Sequence, residues 1–236
     1  MARRLDVSVD GESVAAVHHE ASGDRWLVFC HGFLSDKSGS YAGRCERAAA
    51  AGYDAVRFDF RGCGESDGAF RDETLSDKLA DLRAVVECVD PEAYALFGSS
   101  FGGKVAVHAA ATDDRVTAVA TRAPVTYNRA FDDYRETVQR DGVVRFEDGR
   151  AVDAEFFADF EGYEFDAAAR DIEVPVAIVH GREDESVPIG DSFDAAGTLR
   201  TDTVVEAVAG EGHRFSESAE TRLRERLFGW LDRVWQ

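Results

Sequence analysis

One short stretch of the sequence, ALFGSSFGGKVAV at residues 95–107, matches two motifs with different chemistry. From Gly98 onward it contains G-x-S-x-G, the sharp strand-to-helix turn that presents a nucleophilic serine, here Ser100. It also contains G-x-x-x-x-G-K, ending at Lys104, which is most of a phosphate-binding loop. That loop needs a Ser or Thr hydroxyl directly after the lysine to bind Mg²⁺, but Val105 stands there. The nucleophilic serine is therefore the favoured interpretation, and a P-loop nucleotide-binding protein is the alternative.

A nucleophilic serine needs a base to accept its proton, and after a G-x-S-x-G turn that histidine comes last in chain order. Three histidines follow Ser100 in the sequence. His108 lies along the predicted helix that begins after the serine, roughly 12 Å away by helical rise. His180 lies inside a predicted strand, where a packing or capping role is expected. His213, in the glycine-flanked GEGHRF after the last predicted strand, is therefore the candidate base.

The third member of such a site is a carboxylate that orients the histidine and stabilises its protonated form. The segment HGREDESVP, which follows a predicted strand end, contains the consecutive carboxylates Glu183, Asp184 and Glu185. Asp184 is the candidate acid, because this segment lies between Ser100 and His213 in the chain. On the residues alone, the two neighbouring glutamates remain alternatives.

Acyl transfer also requires backbone N–H donors for the negative oxygen that forms in the reaction. One expected donor is the amide of Phe101, directly after Ser100, at the start of a helix whose N-terminus favours negative charge. The segment CHGF at 30–33 closes the first long apolar strand, and the turn at Gly32 frees further amides. His31 is expected to be structural, because it precedes the serine in the chain.

Short apolar runs alternate with helical patterns along the chain. The runs predict strands at 5–9, 14–18, 26–30, 55–60, 94–98, 116–121, 174–181 and 202–208. Helices are predicted at about 39–51, 75–88, 101–111, 188–197 and 217–235. Asp10-Gly11, between the first two runs, is a strong hairpin signal. The alternation predicts an α/β fold with a mostly parallel eight-stranded sheet, an N-terminal antiparallel hairpin and helices on both faces.

Residues 126–170 break this alternation. They contain no clear strand, and their composition is acidic and aromatic. Irregular insertions of this length in a compact domain are usually functional. We therefore expect a lid over the site, inserted into a single domain that spans residues 1–236.

The charge balance excludes several classes of partner. The chain has 27 basic and 46 acidic residues, a formal net charge of -19, which disfavours binding to nucleic acids and anionic membranes. We expect a cytoplasmic, halophilic protein, with coding bias toward Arg, Ala, Gly and Asp as the alternative explanation of the acidity. Self-repulsion favours a monomer or small homo-oligomer. The four cysteines form no C-x-x-C pair, which predicts buried free thiols in a reducing compartment.

Five segments together resemble the α/β-hydrolase superfamily: HGF (31–33), FDFRGCGESDG (58–68), GSSFGG (98–103), HGREDESVP (180–188) and EGHRFSE (211–217). The resemblance covers nearly the whole chain. It is closest to the small cinnamoyl/feruloyl esterase-like hydrolases, with monoacylglycerol lipases and serine aminopeptidase-type hydrolases as wider relatives. The chain differs from the common pattern at Ser99, where a histidine is frequent.

The resemblance implies a role for each motif residue. Ser100 would be the nucleophile, Asp184 the acid and His213 the base, and the amides of Phe33 and Phe101 would form the oxyanion hole. It implies hydrolysis of small-molecule carboxylic esters or thioesters through an acyl-enzyme, with no metal ion and no organic cofactor. The alternatives are an aminopeptidase-type peptidase and a non-catalytic binding protein on the same fold.

Overall fold

The computed structural model describes residues 1–235 of the chain. In these residues ten strands form: β1 (Ala2–Val9), β2 (Glu12–His19), β3 (Arg25–Cys30), β4 (Tyr53–Phe58), β5 (Tyr94–Ser99), β6 (Val116–Arg122), β7 (Val143–Arg145), β8 (Ala151–Asp153), β9 (Val176–Gly181) and β10 (Thr203–Val208). All eight predicted strands are present, and β7 and β8 are additional.

The eight long strands form one sheet in the order β1-β2-β4-β3-β5-β6-β9-β10. β1 and β2 are antiparallel, β2 is antiparallel to β4, and the pairs from β4 to β10 are parallel. The turn between β1 and β2 has positive φ at Asp10 (51°) and Gly11 (90°), which is the geometry of a type I′ hairpin turn. The predicted mostly parallel sheet with an N-terminal antiparallel hairpin is confirmed.

Helices pack on both faces of this sheet, as predicted. They are α1 (Ser40–Ala50), α2 (Leu75–Val89), α3 (Phe101–Ala110), α4 (Asp132–Asp141), α5 (Ala154–Phe160), α6 (Phe165–Ala168), α7 (Ile189–Thr198) and α8 (Glu217–Val234). Side chains alternate between two apolar cores, because successive residues of a strand point to opposite faces. Along β3, Val28 faces the core that contains residues of α2 and α3, and Leu27 faces the core under α1 and α8.

The segment between β6 and β9 contains the predicted insertion. It holds α4, α5 and α6 and a separate two-stranded antiparallel sheet of β7 and β8. The expectation that residues 126–170 lack strands is wrong for this hairpin. Its signal was Asp148-Gly149, where Gly149 adopts φ 88°. Each strand has only three residues, too few to show the alternation that identifies a strand.

Three of the four cysteines agree with the sequence-based expectation. Cys30, Cys45 and Cys63 are buried and free, whereas Cys88 is free but exposed near the end of α2. Burial raises the pKa of the Cys30 and Cys45 thiols, which keeps them protonated. Within residues 1–235, no helix is both long and apolar enough to cross a membrane.

Candidate active site

Ser100 lies in a tight turn between β5 and α3. Its backbone has φ 54° and ψ -120°, a conformation that residues other than glycine rarely adopt. Two glycines allow this turn: a Cβ on Gly98 would overlap the Gly102 carbonyl, and one on Gly102 would overlap the Cys30 carbonyl. The turn leaves Ser100 partly exposed while the rest of α3 is buried. This geometry fits the predicted strand-to-helix turn around a presented serine.

His213 lies on the loop between β10 and α8, and its ring reaches Ser100. Nε2 of His213 is 3.0 Å from Oγ of Ser100, and Nδ1 is 2.8 Å from Oδ2 of Asp184. With Nδ1–H donating to the carboxylate, Nε2 is free to accept the serine hydroxyl proton. The His213 side chain keeps 23% of its surface exposed, so the three residues meet at an accessible edge.

Asp184 follows β9, and its carboxylate is fully buried. One oxygen, Oδ1, accepts hydrogen bonds from the amides of Ser186 (2.8 Å) and Val187 (2.9 Å), and Oδ2 faces His213. Burial is the largest influence on the pKa of Asp184 and raises it, but hydrogen bonds from two histidines and the Val187 amide outweigh burial. The pKa of Asp184 is therefore held well below its usual range. The neighbouring Glu183 instead accepts from the amide of Gly210, at 3.1 Å.

His180 is a fourth partner of the Asp184 carboxylate. It is fully buried, with Nε2 3.1 Å from Oδ2 of Asp184 and 3.0 Å from the Val187 carbonyl. Because both groups are acceptors, Nε2 carries a proton and donates, and Nδ1 faces the hydroxyl of Ser192 at 2.7 Å. The sequence analysis expected packing or capping at this histidine and missed its contact with the candidate acid. The signal was the four-residue spacing between them, across the end of β9.

Two arginines surround Ser99 on the other side of the nucleophile turn. The Ser99 hydroxyl accepts from Arg44 (3.3 Å) and Arg122 (3.4 Å). Arg122, the last residue of β6, also donates to the backbone carbonyl of His213 and so fixes the loop that holds the imidazole. Arg44 is held in turn by a bidentate ion pair with Glu220. The sequence analysis did not identify these positioning contacts, because they join residues far apart in the chain.

Phe33 and Phe101, whose amides are the predicted oxyanion-hole donors, belong to two turns that meet at Ser100. A Cβ on Gly32 would stand 3.4 Å from the Cβ of Ser100, so the turn that carries Phe33 abuts the serine. Within residues 1–235, neither the Phe33 nor the Phe101 amide donates to a protein acceptor. The His31 ring holds the turn at Gly32 in place: Nδ1 faces the Gly32 carbonyl, and Nε2 accepts a hydrogen bond from the amide of Phe60. Burial lowers the pKa of His31 to about 4, which keeps the ring neutral.

Aromatic rings of the insertion pack around Phe33. The Phe33 ring lies between 5.0 and 5.7 Å, centroid to centroid, from five other phenylalanine rings: Phe70, Phe101, Phe131, Phe146 and Phe156. Three of those five rings belong to the insertion. The candidate site is therefore bounded by an apolar, aromatic wall on the side of Phe33.

Lys104, the residue that suggested a phosphate-binding loop, is buried in α3. Its ammonium donates to the side chain of Asn128 (2.7 Å) and the carbonyl of Tyr163 (2.7 Å), and lies 4.9 Å from the Phe160 ring centroid. His108, one turn later, packs edge-on against Tyr163. Lys104 thus anchors the insertion to the helix that begins at the candidate nucleophile.

The residues that the structure describes contain no group of three or more His, Cys, Asp or Glu side chains arranged to hold a metal ion.

Comparison with known proteins identifies the class. A family model described as alpha/beta hydrolase fold matches residues 25–144, just over half of the chain. The chain therefore belongs to the alpha/beta hydrolase fold family. Its relatives and structural neighbours include thioesterases, esterases and a monoacylglycerol lipase.

Three proteins illustrate this similarity. The chain is 29% identical over 212 residues to the human mitochondrial palmitoyl-protein thioesterase ABHD10, covering 84% of this chain and 69% of that protein. The structure of mouse alpha/beta hydrolase domain-containing protein 10 superposes with a TM-score of 0.87 at 21% identity, over 99% of each chain. Est1E from Butyrivibrio proteoclasticus, solved with ferulic acid bound, superposes with a TM-score of 0.85 at 21% identity, over 97% of this chain and 99% of that one.

Proposed function

We propose that the protein is a serine hydrolase that cleaves carboxylic esters and thioesters, with Ser100 as nucleophile, His213 as base and Asp184 as acid. One observation carries the proposal: the hydrogen-bonded series from the Ser100 hydroxyl to His213 (3.0 Å) and on to the buried Asp184 (2.8 Å). A nucleophile within hydrogen-bond reach of a base, itself oriented by a third group, is the arrangement that activates serine.

In the first half of the reaction, Oγ of Ser100 attacks the carbonyl carbon of the ester while its proton passes to Nε2 of His213. The resulting imidazolium is stabilised by Asp184, which is ionised because its pKa is held below the usual range. The negative oxygen of the tetrahedral intermediate accepts from the amides of Phe33 and Phe101. Nε2 then protonates the leaving alcohol or thiol, and an acyl-enzyme remains on Ser100.

In the second half, a water molecule replaces the leaving group. Nε2 of His213 removes a proton from this water, which attacks the acyl carbonyl and passes through the same oxyanion site. Collapse of the second intermediate releases the carboxylic acid and returns the proton to Oγ of Ser100. Names of related proteins support both substrate classes: a human relative is a palmitoyl-protein thioesterase, and a structural neighbour was solved with ferulic acid bound.

The insertion acts in this proposal as a lid that forms one wall of the acyl site. Its rings pack around Phe33, whose amide is one of the two oxyanion donors. The lid belongs to a single domain spanning residues 1–236, and it takes an apolar or aromatic part of a small-molecule ester. Salt adaptation stays a prediction from the acidic composition, and a cytoplasmic location stays a prediction from the sequence.

The test is to replace the proposed nucleophile and, in a separate variant, the serine that precedes it. Ser100→Ala is expected to abolish hydrolysis of 4-nitrophenyl butyrate and labelling by a fluorophosphonate probe, measured in dilute buffer and in molar KCl. Ser99→Ala is the comparison variant: its hydroxyl faces Arg44 and Arg122 and not His213, so we expect slower hydrolysis but retained fluorophosphonate labelling. Labelling that persists in Ser100→Ala, or disappears only in Ser99→Ala, contradicts the assignment.

A further inference from the structure

A surface cavity of about 420 Å³ lies between the loop after β4 and the hairpin of the insertion. Residues 62 and 69–71 form one wall, and residues 145 and 148–151 form the other. The loop wall is closely packed, because a Cβ on Gly62 would lie 2.5 Å from the backbone of Phe70. None of the proposed catalytic side chains lines this cavity.

The charge of this cavity is opposite to that of the chain. Its lining includes three arginines, Arg71, Arg145 and Arg150, and one acidic residue, Asp148. In the whole chain, acidic residues outnumber basic ones by 46 to 27. Arg71 is paired with Asp153 and Arg150 with Asp148, so the remaining positive charge is that of Arg145, which favours the approach of an anion.

Two of the arginines retain unused donors. Arg145 is exposed and makes no hydrogen bond or ion pair through its side chain to any other residue in the part of the chain that the structure describes. Arg71 is half exposed, and only its Nε is engaged, by Asp153 at 2.8 Å. Guanidinium N–H groups without a protein acceptor can donate two parallel hydrogen bonds to the paired oxygens of a carboxylate or phosphate.

Arg150 connects the cavity to the oxyanion turn. It is held by Asp148 and lies over the Phe70 ring, 5.1 Å from the centroid, and it donates to the Leu34 carbonyl at 2.7 Å. Phe70 in turn packs against Phe33, with 5.1 Å between ring centroids. One wall of the cavity, at Phe70, is therefore in direct contact with the residue whose amide is a proposed oxyanion donor.

From this juxtaposition we infer that the cavity binds an anionic group, a phosphate or a carboxylate, carried by the substrate whose carbonyl is cleaved at Ser100. The inference rests on the proposed function and narrows its substrate class to esters or thioesters that carry a negative charge away from the reacting carbonyl. Arg71 and Arg145 supply the donors, and Arg150 joins this site to the oxyanion turn.

The experiment compares charged and neutral substrates with the same reacting group. Hexanoyl-CoA is paired with hexanoyl-N-acetylcysteamine to test a phosphate on the leaving group. The 4-nitrophenyl monoester of adipic acid is paired with 4-nitrophenyl hexanoate to test a carboxylate on the acyl group. Values of kcat/KM for all four are measured for wild type, Arg71→Gln/Arg145→Gln and Arg140→Gln, at one fixed salt concentration. Arg140 is the matched control, because it is an exposed arginine of the insertion paired with Asp141 and does not line the cavity.

The inference expects the charged-to-neutral ratio of kcat/KM to fall about tenfold in the double variant for one substrate pair, through KM, and to stay unchanged in Arg140→Gln. The pair that responds identifies phosphate or carboxylate as the recognised group. Unchanged ratios for both pairs overturn the inference and leave the proposed function standing.

A binding measurement tests the anion site independently of hydrolysis at Ser100. If wild type hydrolyses none of the four substrates, the proposed function fails. Calorimetric titration of CoA and of adipate into wild type and the double variant then decides the inference alone. Binding that the double substitution weakens supports the cavity as an anion site, and absent or unchanged binding of both probes overturns it.

Discussion

The strand-end cluster around Ser100 and the insertion above it are stabilised in opposite ways. In the cluster, each group is fixed by directional hydrogen bonds: the Asp184 carboxylate alone accepts from two amides and faces two histidines. In the insertion, many contacts are between phenylalanine rings, which pair in edge-on and stacked geometries. Lys104 is its principal polar anchor to α3. We therefore expect the cluster to hold a fixed geometry and the insertion to rearrange more readily.

The largest effect is expected from a substitution in the hydrogen-bonded cluster around Ser100. Asp184→Asn keeps the shape of the side chain but removes the charge that holds Nδ1–H of His213 and stabilises the imidazolium. We expect kcat for 4-nitrophenyl butyrate to fall by about 10⁴-fold, the loss typical of removing the acid from a serine triad. Glu185→Gln, an exposed carboxylate one residue away, is the control and should retain full activity. Comparable losses in both variants would show that charge near the site, and not the Asp184 contact, matters.

A smaller effect is expected from the anchor of the insertion. Lys104→Met leaves the Asn128 side chain and the Tyr163 carbonyl without their buried donor, at a cost of about 1–3 kcal/mol. Hydrogen exchange measured by mass spectrometry should speed up across residues 128–168 and stay unchanged in β3, β5 and α8. Faster exchange spread evenly over the sheet would mean that the insertion and the sheet unfold as one unit. That result would contradict a difference in rigidity between the insertion and the cluster around Ser100.

The smallest expected effect is the pH dependence of that anchor. Burial lowers the pKa of Lys104 from 10.5 to about 7, partly offset by the charge of Glu164. Between these two values the unfolded chain binds more protons than the folded one, so this group's contribution to stability rises with pH across the window and falls as pH drops toward 7. Urea unfolding at pH 7 and pH 9 should show a larger increase in stability for wild type than for Lys104→Met. Equal increases would contradict a lowered pKa at this lysine.

The same contrast explains what the sequence could predict. The eight strands followed from apolar runs and the position of Ser100 from its flanking glycines, because few residue types satisfy those local geometries. Asp184 was one of three candidate carboxylates, and only the fold shows which of them meets His213. The contacts of Arg44 and Arg122 with Ser99 join segments that are distant in the chain, so no local spacing in the sequence predicts them. The ring packing of the insertion was also beyond prediction, because one phenylalanine in a sequence is equivalent to another.

Phe33 combines the two kinds of structure in one residue. Its backbone amide is a proposed oxyanion donor, and its ring is embedded among five others. Every amino acid except proline supplies the same amide, so the ring can change in evolution without loss of that donor. Under the proposed function, substitutions at position 33 can therefore alter which acyl groups fit while the oxyanion donor is kept.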